Sequence, residues 1–295
     1  MARASFHVIL CLLAFMLVLN SCTKETPSKS KNHSFFVAGH TYGKPGSIEK
    51  GFHPPFKDDF NFIQTYPGIT FGIFTGDLVQ HSSTESWDII DNELEELGLP
   101  VYFTPGNHDV SDYDLYRQRY GDPANNNRTY GFFEYEDNLY IMLDANLDNW
   151  NISGDQLIFL NKLLEDKTQS VNHAFIFIHQ LVWWDEHTIF KNIVLNWPPY
   201  TPDTTNFWCT IEPILQNYPQ PVYLFAGDLG ANTVAEPYLY YEDKNITYIA
   251  GGMGGGIDDN YLFVEIDNFG AVTFKIIALQ GERDRFGRIE DYTLP

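Results

Sequence analysis

Side chains able to hold a metal ion follow three apolar segments of this chain. Asp77 comes after residues 70–75, Asn107 comes after residues 101–104 within Gly106-Asn107-His108-Asp109, and His179 ends a third segment. A carboxylate, an amide carbonyl oxygen and an imidazole nitrogen form a mixed oxygen and nitrogen set that suits Mn, Zn or Fe. The spacing therefore predicts a transition-metal site in which the Asp77 carboxylate can bridge two ions.

The residues beside Asn107 suggest what such a site would do. His108 would lie near any bound metal, where it can protonate a leaving-group oxygen or stabilise transferring phosphoryl charge, and Asp109 is predicted to orient its imidazole. Each ligand also has a structural interpretation. Asp77 and Asn107 can serve as turn residues, and a histidine that ends a buried strand can be a core residue. Because all three follow successive strands, a shared site is favoured.

Short apolar strands alternate with amphipathic helices from residue 34 onward. A strand at 70–75, a helix at 85–97 that ends before Gly98 and a strand at 101–104 form a unit suited to a right-handed parallel crossover. Further strands are predicted at 35–38, 132–135, 140–144, 174–178, 222–226, 238–241, 246–250, 261–266 and 272–278, and further helices at 58–65, 153–164 and 211–217. We predict an α/β fold of two packed mixed β-sheets flanked by helices, with early strands parallel, late strands antiparallel and ligands at the strand carboxyl ends.

The order of these motifs resembles that of the calcineurin-like metallophosphoesterases over roughly residues 34–279. The resemblance implies a four-layer sandwich and one subsite for a divalent metal. Its ligands would be Asp77, Asn107, His179 and Asp228, the last within Gly227-Asp228-Leu229-Gly230. His108 would then assist the leaving group.

The chain departs from the family pattern at its first and fifth motifs. The family carries Asp-x-His where this chain reads Gly39-His40-Thr41, and a histidine where it has Gly230. Only Asp77 remains of the other metal subsite, and such sites normally need three or four protein ligands. His40 is open to two interpretations: a rearranged ligand or an imidazolium replacing the missing ion, or a loop residue bonded to backbone.

Two functions remain open from the sequence. The first is hydrolysis of a small phosphorylated substrate, sugar-like or nucleotide-like, with one firmly bound Mn, Zn or Fe ion. The alternative is an inactive surface lipoprotein on the same fold that binds a ligand or glycan. An aromatic-rich insertion at 182–208 is either a wall over the site or a packed cover for a sheet edge; its aromatic residues include Trp183, Trp184, Trp197, Tyr200 and Trp208.

The N-terminal residues predict the cellular location of the protein. Residues 8–19 are almost continuously apolar but too short to span a membrane, and they lead into Leu19-Asn20-Ser21-Cys22, which resembles a bacterial lipoprotein cleavage box. We expect a signal peptide at 1–21, a tether at 22–33 lipidated at Cys22, and a phosphoesterase domain at 34–295. The anchor would place it in the bacterial cell envelope, periplasmic or surface-exposed. The alternative is an ordinary secretory signal.

Charge and cysteine content narrow the partners. A net charge of -21 argues against nucleic-acid binding, which needs a basic surface. With Cys11 in the leader and Cys22 lipidated, Cys209 has no partner for an internal disulfide, and it is predicted to be a buried apolar thiol. The glycine run at 251–256 lacks the Lys-Ser/Thr of a P-loop and is predicted to be a tight connection bordering the site. Asp144 is a weaker candidate that could be structural.

Overall fold

The computed structural model describes residues 31–198, 201–232 and 234–295, which contain eleven strands and six α-helices. The strands are β1 (His33–Ala38), β2 (Ile69–Phe74), β3 (Val101–Phe103), β4 (Gly131–Tyr135), β5 (Asn138–Met142), β6 (His173–Ile178), β7 (Val222–Ala226), β8 (Tyr238–Asp243), β9 (Ile246–Gly251), β10 (Asn260–Ile266) and β11 (Val272–Ala278). The helices are α1 (Pro54–Asp58), α2 (Phe60–Gln64), α3 (Thr84–Leu97), α4 (Tyr113–Tyr120), α5 (Gly154–Lys167) and α6 (Glu212–Gln216).

The strands form two mixed sheets packed face to face, as predicted. One sheet has the order β11-β10-β1-β2-β3 and the other β4-β5-β6-β7-β9-β8. In β1, Phe35 packs between the sheets, whereas Phe36 packs under α1 to α4, because neighbouring strand residues point to opposite faces. A third core lies between the second sheet and α5. The result is a four-layer α/β sandwich.

The parallel strands carry the functional loops. β1, β2 and β3 run parallel, as do β5, β6, β7 and β9, while β4, β8 and β10 pair antiparallel with their neighbours. All six residues of β6 are buried, as expected for a strand covered on both faces. The carboxyl ends of β1, β2, β3, β6 and β7 therefore open toward one edge of the sandwich.

Helix α3 provides the predicted crossover between β2 and β3. The Ser83 side chain accepts the Ser86 N–H at its start, and Gly98 ends it with a φ of 63°, a left-handed conformation that glycine adopts without a Cβ penalty. Trp87 and Ile90 are buried against the first sheet. The end of the helix before Gly98 was predicted from the sequence, and the Ser83 cap was not.

Several details differ from prediction. The helix expected at 58–65 is two short helices, because the chain bends at Asp59, whose carboxylate contacts Arg283 and Tyr261. Helix α4 was missed. The late strands were expected to be antiparallel, but β9 pairs parallel with β7. Strand β1 begins at His33, inside the predicted tether.

The predicted leader and the lipidated Cys22 lie outside the described residues. In the part of the chain that is described, no helix is both long and apolar enough to cross a membrane. The prediction of a buried Cys209 was wrong, since its side chain is exposed. It lies in a π-helical turn (Phe207–Ile211) whose two end residues face the core, which leaves Cys209 on the outer side.

Two buried histidines, His33 and His173, begin β1 and β6, at the opposite ends of these strands from the metal motifs, and they predict a pH-dependent stability. His173 Nδ1 lies 2.7 Å from Asn138 Oδ1, and burial, with a smaller effect of nearby His33, lowers the His173 pKa to about 4. The unfolded chain therefore binds more protons than the native state between pH 4 and about 6.5, so stability falls as pH drops through that window.

We expect His173 to contribute on the order of 3 kcal/mol to this loss. His173→Gln should remove that part, so that its denaturant midpoint depends less on pH than that of the natural chain. Urea unfolding at pH 7.5 and pH 4.5 measures it. Parallel pH profiles for the two chains would contradict the assignment.

Candidate metal centre and active-site cleft

The loops after five parallel strands meet at one edge of the sandwich. Their functional side chains are His40 after β1, Asp77 after β2, Asn107 and His108 after β3, His179 after β6 and Asp228 after β7. All of these except His179 line one open cleft of about 800 Å³. His179 is completely buried beside Asp77. The structure thus brings together every predicted metal ligand.

Asp77 lies between two imidazoles. Its Oδ2 atom is 3.4 Å from His179 Nε2 and 3.6 Å from His40 Nε2. His179 Nδ1 lies 2.8 Å from the Thr75 carbonyl oxygen, which can only accept, so Nδ1 donates and Nε2 points to Asp77. A carbonyl that fixes one ring nitrogen while the other faces the site is typical of metal-binding histidines.

The charge states of Asp77 and His179 depend on each other. Burial by itself lowers the pKa of His179, but the Asp77 and Asp228 carboxylates outweigh it and raise that pKa to about 10. Burial would raise the pKa of Asp77, yet the neighbouring imidazoles, above all His179, hold it well below its usual range. A metal ion that binds here must therefore displace the His179 proton.

The donor atoms fit one metal ion. Asn107 Oδ1 is buried and has no hydrogen-bond partner, a state that is costly unless another group satisfies it, and His179 Nε2 faces only the Asp77 carboxylate, 3.4 Å away. With Asp77 and Asp228 they make an oxygen and nitrogen set suited to a divalent transition metal. Within the described ranges, no three His, Cys, Asp or Glu side chains form a ready-made metal cluster, so the candidate centre relies on the Asn107 amide.

Asp109 does not orient the His108 imidazole, which corrects the prediction. Its fully buried carboxylate accepts four backbone N–H groups, those of Gly106, Asp77, Leu78 and Val79. It thereby ties the loop after β2 to the loop after β3. The imidazole is held instead by the Gln80 carbonyl oxygen, 2.7 Å from Nδ1. His108 Nε2 then lies 3.4 Å from the Tyr42 hydroxyl in the cleft.

The sequence pattern of the calcineurin-like phosphoesterases matches residues 33–252, well over half of the chain. The chain belongs to the calcineurin-like phosphoesterase family. This confirms the family predicted from the motifs, and it supports the prediction of a hydrolase acting on phosphoesters with a divalent metal.

Solved structures of phosphatases share this fold. Purple acid phosphatase PPD1 from yellow lupin superposes with a TM-score of 0.63 at 15% identity, over 85% of this chain and 52% of that chain. A dimetal phosphatase from Danio rerio gives a TM-score of 0.60 at 12% identity, over 85% of this chain and 97% of that one. The phosphoesterase chain therefore spans about half of the lupin protein. No sequence among the curated proteins matches it.

The other metal subsite of the family does not fit this chain. A Cβ added at Gly39, where the family carries an aspartate, would lie 2.4 Å from the Gly227 Cα and 2.6 Å from its carbonyl oxygen. Gly230 has a φ of 78°, a conformation that strains other residues. The loops after β1 and β7 are thus in contact where the missing ligands would project.

Restoring the family aspartate should therefore fail to restore the second ion. We expect Gly39→Asp to lower the free energy of unfolding by more than about 2 kcal/mol through overpacking, with no gain in bound metal. Gly131→Asp is the matched control, because a Cβ there meets no atom within 4 Å. Thermal unfolding and elemental analysis measure both effects. A second bound ion in Gly39→Asp would contradict this account of the subsite.

His40 lies inside the site. Burial lowers the pKa of His40, and the Asp77 and Asp228 carboxylates partly oppose this effect. Its backbone N–H donates to the Gly76 carbonyl oxygen, as the loop interpretation expected. Its Nδ1 atom is buried without a partner. The roles predicted for His40, a rearranged ligand or an imidazolium that replaces the missing ion, stay predictions.

Three residues of the site were missed in the sequence. Gln80 and Tyr42 contact the His108 ring. Asn196, from the insertion, donates to Asp228 Oδ1 at 2.7 Å and accepts the Ala231 N–H at the same distance. Tyr42 is only two residues from His40, so the sequence could have indicated that it lies near the site. No sequence signal indicated Asn196, because the insertion has no periodic pattern.

Two other candidates are structural. Asp144 is fully buried and accepts hydrogen bonds from Tyr113, Thr129 and Asn146, so its carboxylate anchors the loop after β5. The glycine run at 251–256 packs directly behind the fifth motif: a Cβ at Gly254 would lie 2.0 Å from the Ala231 carbonyl oxygen. The run is a tight connection beside the site.

The tryptophans of the insertion divide between core and cleft. Trp183 is fully buried, and Trp184 and Trp208 pack against the outer core of the second sheet. Trp197 is 64% exposed and lines the cleft. Both earlier interpretations of the insertion therefore hold for different residues, and Tyr200 lies outside the described residues.

Proposed function

We propose that this chain hydrolyses phosphoesters with one firmly bound divalent ion, Mn, Zn or Fe, held by Asp77, Asn107, His179 and Asp228. The observation that carries the proposal is the buried Asn107 Oδ1 atom, which has no hydrogen-bond partner, beside His179 Nε2 and Asp77 Oδ2, which lie 3.4 Å apart. A buried polar atom with a purely structural role would have a hydrogen-bond partner within the protein. The family to which the chain belongs supports the same chemistry.

A bound ion of this kind would lower the pKa of a water ligand and neutralise phosphoryl oxygens. The protein's own contribution centres on His108. Because Gln80 holds Nδ1–H, Nε2 is the atom that faces the cleft and, when protonated, it can donate to the leaving-group oxygen. Burial and then Asp77 raise the pKa of Tyr42 far above its usual value, so its hydroxyl remains a donor near Nε2.

Asp77 links binding to chemistry. One carboxylate oxygen lies near His179 and His40, while the other accepts the His108 backbone N–H at 3.0 Å. A substitution at Asp77 that removes this hydrogen bond would therefore also affect the position of His108. Small phosphomonoesters are the substrates to test first, because the structural relatives include phosphatases and a putative 5'-nucleotidase from Staphylococcus aureus (TM-score 0.50, 12% identity, over 85% of this chain and 55% of that one).

Elemental analysis of protein purified without chelator, paired with a phosphomonoester assay, tests the proposal. We expect about one transition-metal ion per chain, and hydrolysis that is lost on chelation and regained on reloading. Two ions would mean that His40 and Asp228 rebuild the other subsite. No metal and no turnover after reloading with Mn or Zn would favour the inactive binding protein, which the missing ligands at Gly39, Thr41 and Gly230 also suggest.

We also propose that the enzyme is anchored in the bacterial envelope through a lipid on Cys22, after removal of residues 1–21. The supporting observation is the apolar run followed by Leu19-Asn20-Ser21-Cys22. Cys22→Ser should move the protein from the membrane fraction to the soluble fraction and abolish fatty-acid labelling. Unchanged membrane association would contradict the anchor.

A further inference from the structure

We propose that the cleft selects a flat, uncharged, apolar leaving group, so that the substrate is a phosphomonoester of an aromatic alcohol. This rests on the proposed function and names its substrate class. Trp197 would be the stacking surface.

The cleft has two chemically different sides. Its inner side carries His40, Asp77, Asn107, His108 and Asp228. A second part of the lining, the apolar wall, is exposed: Val194 is 41%, Trp197 64% and Val234 75% accessible, with Pro198 beside them and the polar Asn196 and Asn232 in the same two segments. Exposed apolar side chains gathered from two segments in one cleft mark a binding surface.

Hydrogen bonds between the two segments hold this wall in place. The Glu236 N–H donates to the Val194 carbonyl oxygen at 3.1 Å, and Asn232 donates through Nδ2 to the Asn196 carbonyl oxygen at 2.6 Å. Asn232 Oδ1 also accepts the Val234 N–H at 2.9 Å. These hydrogen bonds join the two segments that carry the wall.

The charge of the cleft limits the substrate further. Among the described residues that line it there is no Lys or Arg, and its carboxylates are those of Asp77 and Asp228. A second phosphate or a carboxylate on the substrate would find no cation and would meet an acidic protein of net charge -21. A sugar hydroxyl would gain no hydrogen bond from Val194 or Val234, whose side chains offer apolar surface. A neutral aromatic group fits both conditions.

The test compares 1-naphthyl phosphate with glycerol 2-phosphate in the full chain and its variants. We expect Trp197→Ala to lower kcat/KM for 1-naphthyl phosphate roughly tenfold, mainly through KM, while glycerol 2-phosphate changes less than about twofold. Trp197→Phe should restore most of the loss. Comparing each substrate between variants cancels the different reactivity of the two leaving groups. Ile158→Ala, an exposed apolar change on α5 outside this cleft, is the matched control.

The possible outcomes separate the two proposals. Equal losses on both substrates, or no loss on either, would overturn the leaving-group inference and leave the phosphoesterase standing. If neither substrate is hydrolysed, the proposed function fails, and calorimetric titration with 2-naphthol decides the inference. Binding that is lost in Trp197→Ala supports the apolar wall, whereas no binding to the natural chain overturns it.

Discussion

Replacing His108 with alanine should lower kcat by roughly 10²- to 10⁴-fold while the chain keeps its metal. His108 supplies no ligand atom in the proposed centre, and its Nε2 atom faces the cleft because the Gln80 carbonyl holds Nδ1. The variant therefore loses the proton donor and leaves Asp77, Asn107, His179 and Asp228 in place. Steady-state kinetics with a phosphomonoester, together with elemental analysis, measures the two effects.

His81→Ala is the matched control for this experiment. His81 is exposed, and its ring centre lies 6.4 Å from that of His108, so the change removes a neighbouring imidazole without touching the proposed acid. We expect His81→Ala to retain activity within about threefold. If His108→Ala has the same kcat as the unsubstituted chain, His108 has no part in the mechanism. A loss of metal in the same variant would instead reassign it as a ligand.

Changing Asp77 to asparagine should abolish both metal binding and turnover. Asparagine keeps the size of the side chain and an oxygen that can accept the His108 N–H, so it removes mainly the charge at the centre. Without that carboxylate the remaining donors are Asn107, His179 and Asp228, which carry only one negative charge. We expect bound metal to fall from about one ion per chain to less than about a tenth, and activity with it.

Circular dichroism should show that Asp77→Asn still folds, which separates lost ligation from lost structure. Asp258→Asn, a change at a half-exposed carboxylate paired with Arg285, is the control for removing one negative charge. It should leave both metal content and activity unchanged. A full complement of metal in Asp77→Asn would show that the centre is assembled from other residues.

The sequence by itself determined the strands and most of the candidate site. Buried parallel strands are continuous apolar runs, and the residues after them must lie at one edge, so Asp77, Asn107 and His179 could be placed together before any coordinates were known. The signal at Gly98 likewise predicted the end of α3, because a helix cap acts within one turn, whereas the Ser83 cap at its start was not predicted. These features depend on local chemistry and on periodicity.

Only the tertiary structure decided what the neighbouring loops do with these residues. Asp109 was assigned to His108 by adjacency, yet its carboxylate binds backbone N–H groups that come from a different loop. The contact of Gly39 with Gly227, the link from Asn196 to Asp228 and the exposure of Trp197 all join segments distant in sequence. Such contacts leave no periodic trace, since they depend on how the β-sheets and loops pack. The sequence determined which groups surround the proposed centre, and packing decided that Gly39 contacts Gly227 and that Trp197 is exposed in the cleft beside that centre.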